Sequence, residues 1–156
     1  MGKFKTASLA ALLGLSAAGG WAQRTDIYPA PAQAAGDLKA AITQAAAEHK
    51  HVIVDFGGNW CTDCIVLDHY FHDDTNKALL ESNYVLVHVN VGHLNQNEDI
   101  AARYQVPLHK GVPALAVLDE QGTLLYSQKT GEFESMRHME SASVTAFLTQ
   151  WKRSRS

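Results

Sequence analysis

The sequence predicts an α/β sandwich, in which a mixed β-sheet is flanked by helices and an extra helix precedes the first strand. One observation is the order of the apolar segments, which alternate as β-α-β-α and then continue as two strands and a last helix. The other is the central stretch, where the β-branched run 52–54 and Phe56 indicate a buried strand. Gly57 and Gly58 then permit a sharp turn, and the hydrophobic period after Cys64 becomes helical.

The other elements follow from periodicity and capping residues. Residues 23–36 carry two prolines and many alanines and are predicted to be a linker or an extended lead-in without a periodic core face. Asp37 is predicted to cap the extra helix, which would end near His49. We expect the helix after the first strand to be interrupted at 71–75, with Asp74 or Thr75 capping its second part. The remaining predictions are a strand at 84–91, a helix at 95–104, a hairpin at 114–119 and 123–127, and a last helix from Ser141 or Ser143 to Trp151.

The first 22 residues have the features of a bacterial Sec-type signal peptide. Lys3 and Lys5 precede the small apolar run 7–18, and Gly20-Trp21-Ala22 is an acceptable cleavage site. An uncleaved membrane anchor is the alternative, but the apolar run is short for a membrane span. We therefore expect a periplasmic or secreted protein with a folded domain at 37–152 and a tail at 153–156.

The charge balance disfavours two classes of partner. Cleavage after Ala22 would remove two of the 13 Lys and Arg residues and none of the 16 Asp and Glu residues, which leaves a net negative chain. A negative domain is a poor ligand for nucleic acids or anionic membranes. We expect neither as a partner.

Both cysteines of the chain, Cys61 and Cys64, lie at the predicted start of a helix. Unpaired N–H groups and the positive end of the helix dipole stabilise a thiolate there. In an oxidising compartment such a pair is a redox site or a small structural disulfide, and the short loop between them would add little stability. A metal site is the third alternative, because His69 and His72 follow in a C-x₂-C-x₄-H-x₂-H pattern. On one helix, however, the four side chains cannot converge on one tetrahedral ion.

The central stretch resembles the active-site segment of thioredoxins, in the pattern Asp55-Phe56-x-x-x-Trp60-Cys61-x-x-Cys64. The segment Gly111-Val112-Pro113 before an apolar run, and the strand 87–90, resemble the corresponding thioredoxin segments over residues 37–152. The resemblance implies that Cys61 is the nucleophile and Cys64 the resolving thiol, with no cofactor beyond this disulfide. It also implies that Asp55, a charged residue in an apolar strand, is the acid/base for Cys64. Trp60 would shield the disulfide, and Val112, before a cis Pro113, would pair with the substrate backbone.

Three features depart from the thioredoxin pattern. Thr62 and Asp63 replace the usual Gly-Pro pair, and no Lys or Arg between positions 55 and 76 compensates the added carboxylate. This charge, reinforced by an acidic rim of Asp68, Asp73 and Asp74, would disfavour the Cys61 thiolate and make the dithiol a better reductant. His88 stands where thioredoxins usually carry a lysine near the buried acid, and the loop 106–111 is longer than usual. A core or surface role for His88 remains the alternative.

We therefore predict an exported thiol:disulfide oxidoreductase that acts as a reductant or electron relay. The expected partners are protein thiols and disulfides and a membrane thiol electron donor, and we expect a monomer. The alternatives are a disulfide isomerase or oxidase and, in a different class, a module of the same fold that binds a metal or peptide without turnover.

Overall fold

A computed structural model describes residues 26–154, and its centre is a four-stranded mixed sheet. The strands are β1 (His51–Gly57), β2 (Tyr84–Asn90), β3 (Ala114–Leu118) and β4 (Leu124–Ser127), in the spatial order β2-β1-β3-β4. β1 is parallel to β2 and antiparallel to β3, and β4 is antiparallel to β3. The α/β sandwich with a mixed sheet is thus confirmed.

Helices cover both faces of this sheet. They are α1 (Ala34–Glu48), α2 (Thr62–Phe71), α3 (Asp74–Asn83), α4 (Glu98–Arg103) and α5 (Ser141–Trp151). Single 3₁₀ turns lie at Pro31–Gln33, Leu108–Lys110 and Met136–His138. The extra N-terminal helix, the interrupted second helix and the final helix are as predicted.

The central strand β1 is buried on both faces because side chains alternate across a strand. Val54 and Phe56 pack in a core with α1, whereas Ile53 packs in a second core with α2 and α5. Asp55 and Gly57 share the face of Ile53 by the same alternation. A charged residue is therefore placed in the middle of the molecule by an otherwise apolar strand.

Three predicted helix starts are wrong. α1 begins at Ala34, and Asp37 lies within its first turn, because the 3₁₀ turn at Pro31 leads directly into the helix. The N-cap of α3 is Asp73, whose carboxylate accepts the Asn76 N–H at 2.8 Å, rather than Asp74 or Thr75. α4 has only six residues because the chain before it forms a turn that ends with Asn97 in the left-handed conformation.

The segment before α1 packs on the domain in its described part, although its sequence shows no periodic core face. Tyr28 is 1% exposed, and its backbone N–H donates to Asn59 Oδ1 at 2.9 Å while Asn59 Nδ2 donates to its carbonyl at 2.8 Å. Two further asparagines bind the carbonyls of Pro29 and Pro31. Side-chain amides thus fix the backbone of this segment.

The predicted signal peptide at 1–22 lies outside the described residues. Within 26–154, no helix is both long and apolar enough to cross a membrane.

Candidate active site

The two cysteines form a disulfide at the N-terminus of α2. Cys61 is the N-cap residue, with an extended backbone, and its Sγ accepts the Cys64 N–H at 3.1 Å. Cys64 lies in the first turn and is fully buried, whereas Cys61 is 5% exposed. After reduction, the same N–H and the helix dipole would stabilise a thiolate at Cys61 rather than at Cys64.

The segment predicted to bind substrate lies against this sulfur. The Val112 carbonyl oxygen is 3.6 Å from Cys61 Sγ, and the Val112–Pro113 peptide bond is cis. The buried side chain of Gln128 supports the segment, because its Oε1 accepts the Leu115 N–H at 3.0 Å and its Nε2 donates to the Pro113 carbonyl at 3.3 Å. Sequence analysis missed this role, because Gln128 lies outside the predicted hairpin.

Trp60 lies at the rim of the site rather than in the core. Its side chain is 48% exposed, its Nε1 donates to the Gly92 carbonyl at 2.6 Å, and its ring stacks on His93 with centroids 5.3 Å apart. An exposed aromatic ring held in one orientation beside Cys61 is suited to contact a polypeptide. Its shielding of the disulfide stays a prediction.

Asp55 is fully buried, and its two oxygens have different surroundings. Oδ2 accepts the Tyr28 hydroxyl at 2.6 Å and the His88 Nδ1–H at 2.9 Å. Oδ1 is buried and has no hydrogen-bond partner within the described part of the chain. A carboxylate with an unsolvated oxygen is costly to bury unless the group gains a proton, so Asp55 is a candidate proton acceptor.

His88 connects the buried acid with the surface. The strand register pairs it with Asp55, and its Nε2 lies 3.6 Å from Asp68 Oδ1 on α2. Burial alone would lower the pKa of His88, but the hydrogen bond to Asp55 and the charges of Asp55 and Asp68 outweigh burial and raise it. The geometry thus brings His88 to the buried acid, as the resemblance suggests.

This shift makes stability depend on pH. Because the pKa of folded His88 exceeds the unfolded value of about 6.5, its stabilisation is complete below that pH and is lost as pH rises through the folded pKa. We expect the free energy of unfolding, from urea titrations, to fall over this range. The slope should largely disappear in His88→Gln and persist in His109→Gln, which changes an exposed histidine. An unchanged slope in His88→Gln would contradict the assignment.

The expectation that nothing compensates Asp63 is wrong. Asp63 is 8% exposed, and Arg137, which follows it by 74 positions, donates Nε–H to both carboxylate oxygens at 3.1 Å and its backbone N–H to Oδ1 at 2.8 Å. Arg137 lies in the 3₁₀ turn after β4 and contacts the first turn of α2. The residues close to Asp63 in sequence therefore give no sign of this contact. The acidic rim is also partly paired, since Asp68 contacts two histidines and Asp73 caps α3.

The ion pair between Arg137 and Asp63 predicts opposite effects of two substitutions on the reduction potential. Arg137→Gln leaves the Asp63 charge unpaired near the thiols, so the Cys61 thiolate should be less stable and the potential about 10–30 mV lower. Asp63→Asn should raise it by a similar amount. Equilibration with glutathione measures both values. Shifts of the same sign in the two variants would contradict a charge effect.

The remaining residues singled out by sequence have minor roles in this geometry. Thr62 is the exposed first residue of α2. His72 bonds to Asp68 through its Nδ1, away from the cysteines. Within residues 26–154, no three or more His, Cys, Asp or Glu side chains are grouped so as to hold a metal ion.

A disulfide at a helix N-terminus, facing a proline segment and lying near a buried acid, defines a dithiol/disulfide redox site. Comparisons with known proteins agree with this class. A family model described as thioredoxin-like matches residues 32–120, more than half of the chain. A disulphide isomerase from Xylella fastidiosa Temecula1 is 30% identical, with a TM-score of 0.75, and the match covers 80% of this chain and 95% of that one.

Two more distant structures share the fold. The DsbH oxidoreductase is 21% identical over 70% of this chain and 77% of its own, with a TM-score of 0.52. A thioredoxin from Thermus thermophilus is 23% identical over 79% and 83%, with a TM-score of 0.53. Comparison with curated protein sequences found no match. The chain belongs to the thioredoxin-like family, and its Cys61–Cys64 pair makes it a thiol:disulfide oxidoreductase.

Proposed function

We propose that this oxidoreductase is exported to the periplasm and there reduces protein disulfides, or relays electrons to another thiol protein. In the reaction, the Cys61 thiolate attacks a substrate disulfide and forms a mixed disulfide. Cys64 then gives its proton to Asp55 and attacks Cys61 Sγ, which releases the reduced substrate and forms the Cys61–Cys64 disulfide.

The observation that supports reduction of the substrate, rather than its oxidation, is the buried Asp55 with its unpartnered Oδ1. A reductase releases its product only when Cys64 becomes a thiolate, and a buried base serves that step. A primary oxidant has less need of such a base, because the substrate thiol rather than Cys64 resolves the mixed disulfide. A buried negative charge also disfavours further negative charge on the dithiol, which lowers the reduction potential.

A disulfide isomerase is the second candidate, because the protein from Xylella fastidiosa that is 30% identical is a disulphide isomerase. The same groups serve both activities, since an isomerase also uses Cys64 to escape from mixed disulfides. The two differ in substrate: an isomerase reactivates a protein with scrambled disulfides, whereas a reductase only opens disulfides.

Two assays with the purified protein test the proposal. Insulin reduction, followed by turbidity with dithiothreitol as electron donor, should be catalysed by the wild type and not by Cys61→Ser. Reactivation of scrambled ribonuclease in a glutathione buffer should remain close to the uncatalysed rate. Strong reactivation with weak insulin reduction would favour the isomerase instead.

Export and the electron donor need an experiment in cells. The leader at 1–22 supports export, so the chain from a periplasmic extract should begin at Gln23 by mass spectrometry. A membrane thiol donor should keep the cysteines reduced, which alkylation of thiols in acid-quenched cells detects. An unprocessed chain in the cytosol would contradict the proposal, and a fully oxidised pair would contradict the donor.

A further inference from the structure

Tyr28 is a buried titratable residue that the reaction above does not use. It comes from the segment before α1, and Asn59, in the turn that leads to Cys61, holds its backbone through two hydrogen bonds. Its hydroxyl donates to Asp55 Oδ2 at 2.6 Å, and its ring packs edge-on against His88 with centroids 5.0 Å apart. Tyr28 is therefore fixed between the active-site turn and the buried acid.

The Tyr28 hydroxyl also lies close to Cys64, and the surroundings of Gly57 show this. A Cβ atom at this position would lie 2.5 Å from Tyr28 Oη and 2.7 Å from Cys64 Sγ. Both atoms therefore pack against Gly57, where a side chain would otherwise stand. They are at most about 5 Å apart, a gap that one water or a small movement of the freed thiol would bridge.

From this geometry we propose that the Tyr28 hydroxyl relays the proton of Cys64 to Asp55 in the resolving step. The inference rests on the proposed reductase mechanism and adds a residue to it. Tyr28 Oη receives the proton from Cys64, directly or through one water, as its own proton passes to Asp55 Oδ2. The Cys64 thiolate then bonds to Cys61 Sγ, and the substrate sulfur leaves with the electron pair of the mixed disulfide and takes a proton from water.

The surroundings of Tyr28 favour such a concerted transfer. Burial, followed by the charge and the hydrogen bond of Asp55, raises the pKa of Tyr28 well above its ordinary value. The phenol therefore stays protonated and acts as donor and acceptor at once. The groups that face Asp55 are Tyr28 from the N-terminal segment, His88 from β2 and, through His88, Asp68 from α2.

Single-turnover kinetics with 5,5′-dithiobis(2-nitrobenzoate) separate the two chemical steps. With reduced protein in excess, attack by Cys61 releases the first coloured thiolate and attack by Cys64 releases the second. Wild type, Tyr28→Phe and Tyr84→Phe are compared from about pH 5 to 9. Tyr84 is the matched control, because its buried hydroxyl bonds to the Leu148 carbonyl at 2.7 Å and it lies opposite the far end of β1.

We expect Tyr28→Phe to leave the first release within about twofold of wild type and to slow the second about 10- to 100-fold at neutral pH. In this variant the rate of the second release should also rise about tenfold per pH unit, because Cys64 must then lose its proton to hydroxide. Tyr84→Phe should change neither release. An unchanged second release in Tyr28→Phe, or equal slowing of both releases, would overturn the relay.

The rate of the second release in mixtures of H₂O and D₂O tests the wild type without a substitution. If two protons move in the same transition state, the rate of the second release should depend on the deuterium fraction along a curve. A straight line would overturn the relay. Failure of the proposed reductase mechanism can be told apart from failure of the relay. If Cys64 did not resolve the mixed disulfide, the wild type would show no second release at all.

Discussion

Replacing Cys61 by serine is expected to reduce insulin reduction to the uncatalysed rate, a loss of at least about 10³-fold, or about 4 kcal/mol in transition-state free energy. A hydroxyl at this N-cap still accepts the Cys64 N–H, so the helix should form normally. What is lost is the thiolate, which is the attacking group in disulfide exchange.

Cys64→Ser is the matched variant, because it removes the other sulfur of the same disulfide. Cys61 should still attack, but the mixed disulfide cannot be resolved and should accumulate as a covalent adduct visible on a non-reducing gel. Adducts formed by Cys61→Ser instead of Cys64→Ser would reverse the two assignments.

Asp55→Asn is expected to slow the resolving step by about 10²- to 10⁴-fold, the usual contribution of a general base. The amide keeps the shape of the carboxylate and can still accept the Tyr28 hydroxyl, but it cannot take a proton. Attack by Cys61 should be nearly unaffected, so the mixed disulfide should build up during turnover. Stopped-flow measurement of the two steps gives each rate directly.

The same variant should not lose stability, which separates a functional role from a structural one. Asp55 has a buried oxygen without a partner, so removing its charge relieves a desolvation cost. At a pH above the pKa of folded His88, where the pair with His88 no longer contributes, urea unfolding should show equal or higher stability than the wild type. Asp99→Asn, on the exposed face of α4, controls for loss of an acid elsewhere. A large loss of stability together with both chemical steps would assign Asp55 a structural role.

The parts of the site that sequence could predict are those encoded within one short stretch. The strand, the glycine turn and the helix that begins at Cys61 follow each other directly, so periodicity and turn chemistry suffice to place them. The contact between Asp55 and His88 was also within reach, because parallel pairing of β1 with β2 brings those positions together.

The parts that sequence could not predict depend on contacts between distant segments. Arg137 neutralises Asp63 across 74 positions, and Tyr28 reaches Asp55 from a stretch whose prolines and alanines indicate a linker. Gln128 likewise fixes Pro113 from the segment directly after β4. Each is a single polar side chain fixed by tertiary packing, and such a residue leaves no periodic pattern in the sequence.

The reduction potential of the Cys61–Cys64 pair tests most directly whether this protein is a reductant. We would equilibrate the purified protein with a dithiothreitol series and quantify the oxidised fraction by thiol alkylation. The buried carboxyl group of Asp55 and the paired Asp63 predict a value near that of thioredoxin, about −270 mV. A value near about −120 mV, typical of a strong oxidant, would contradict the proposed direction of electron flow.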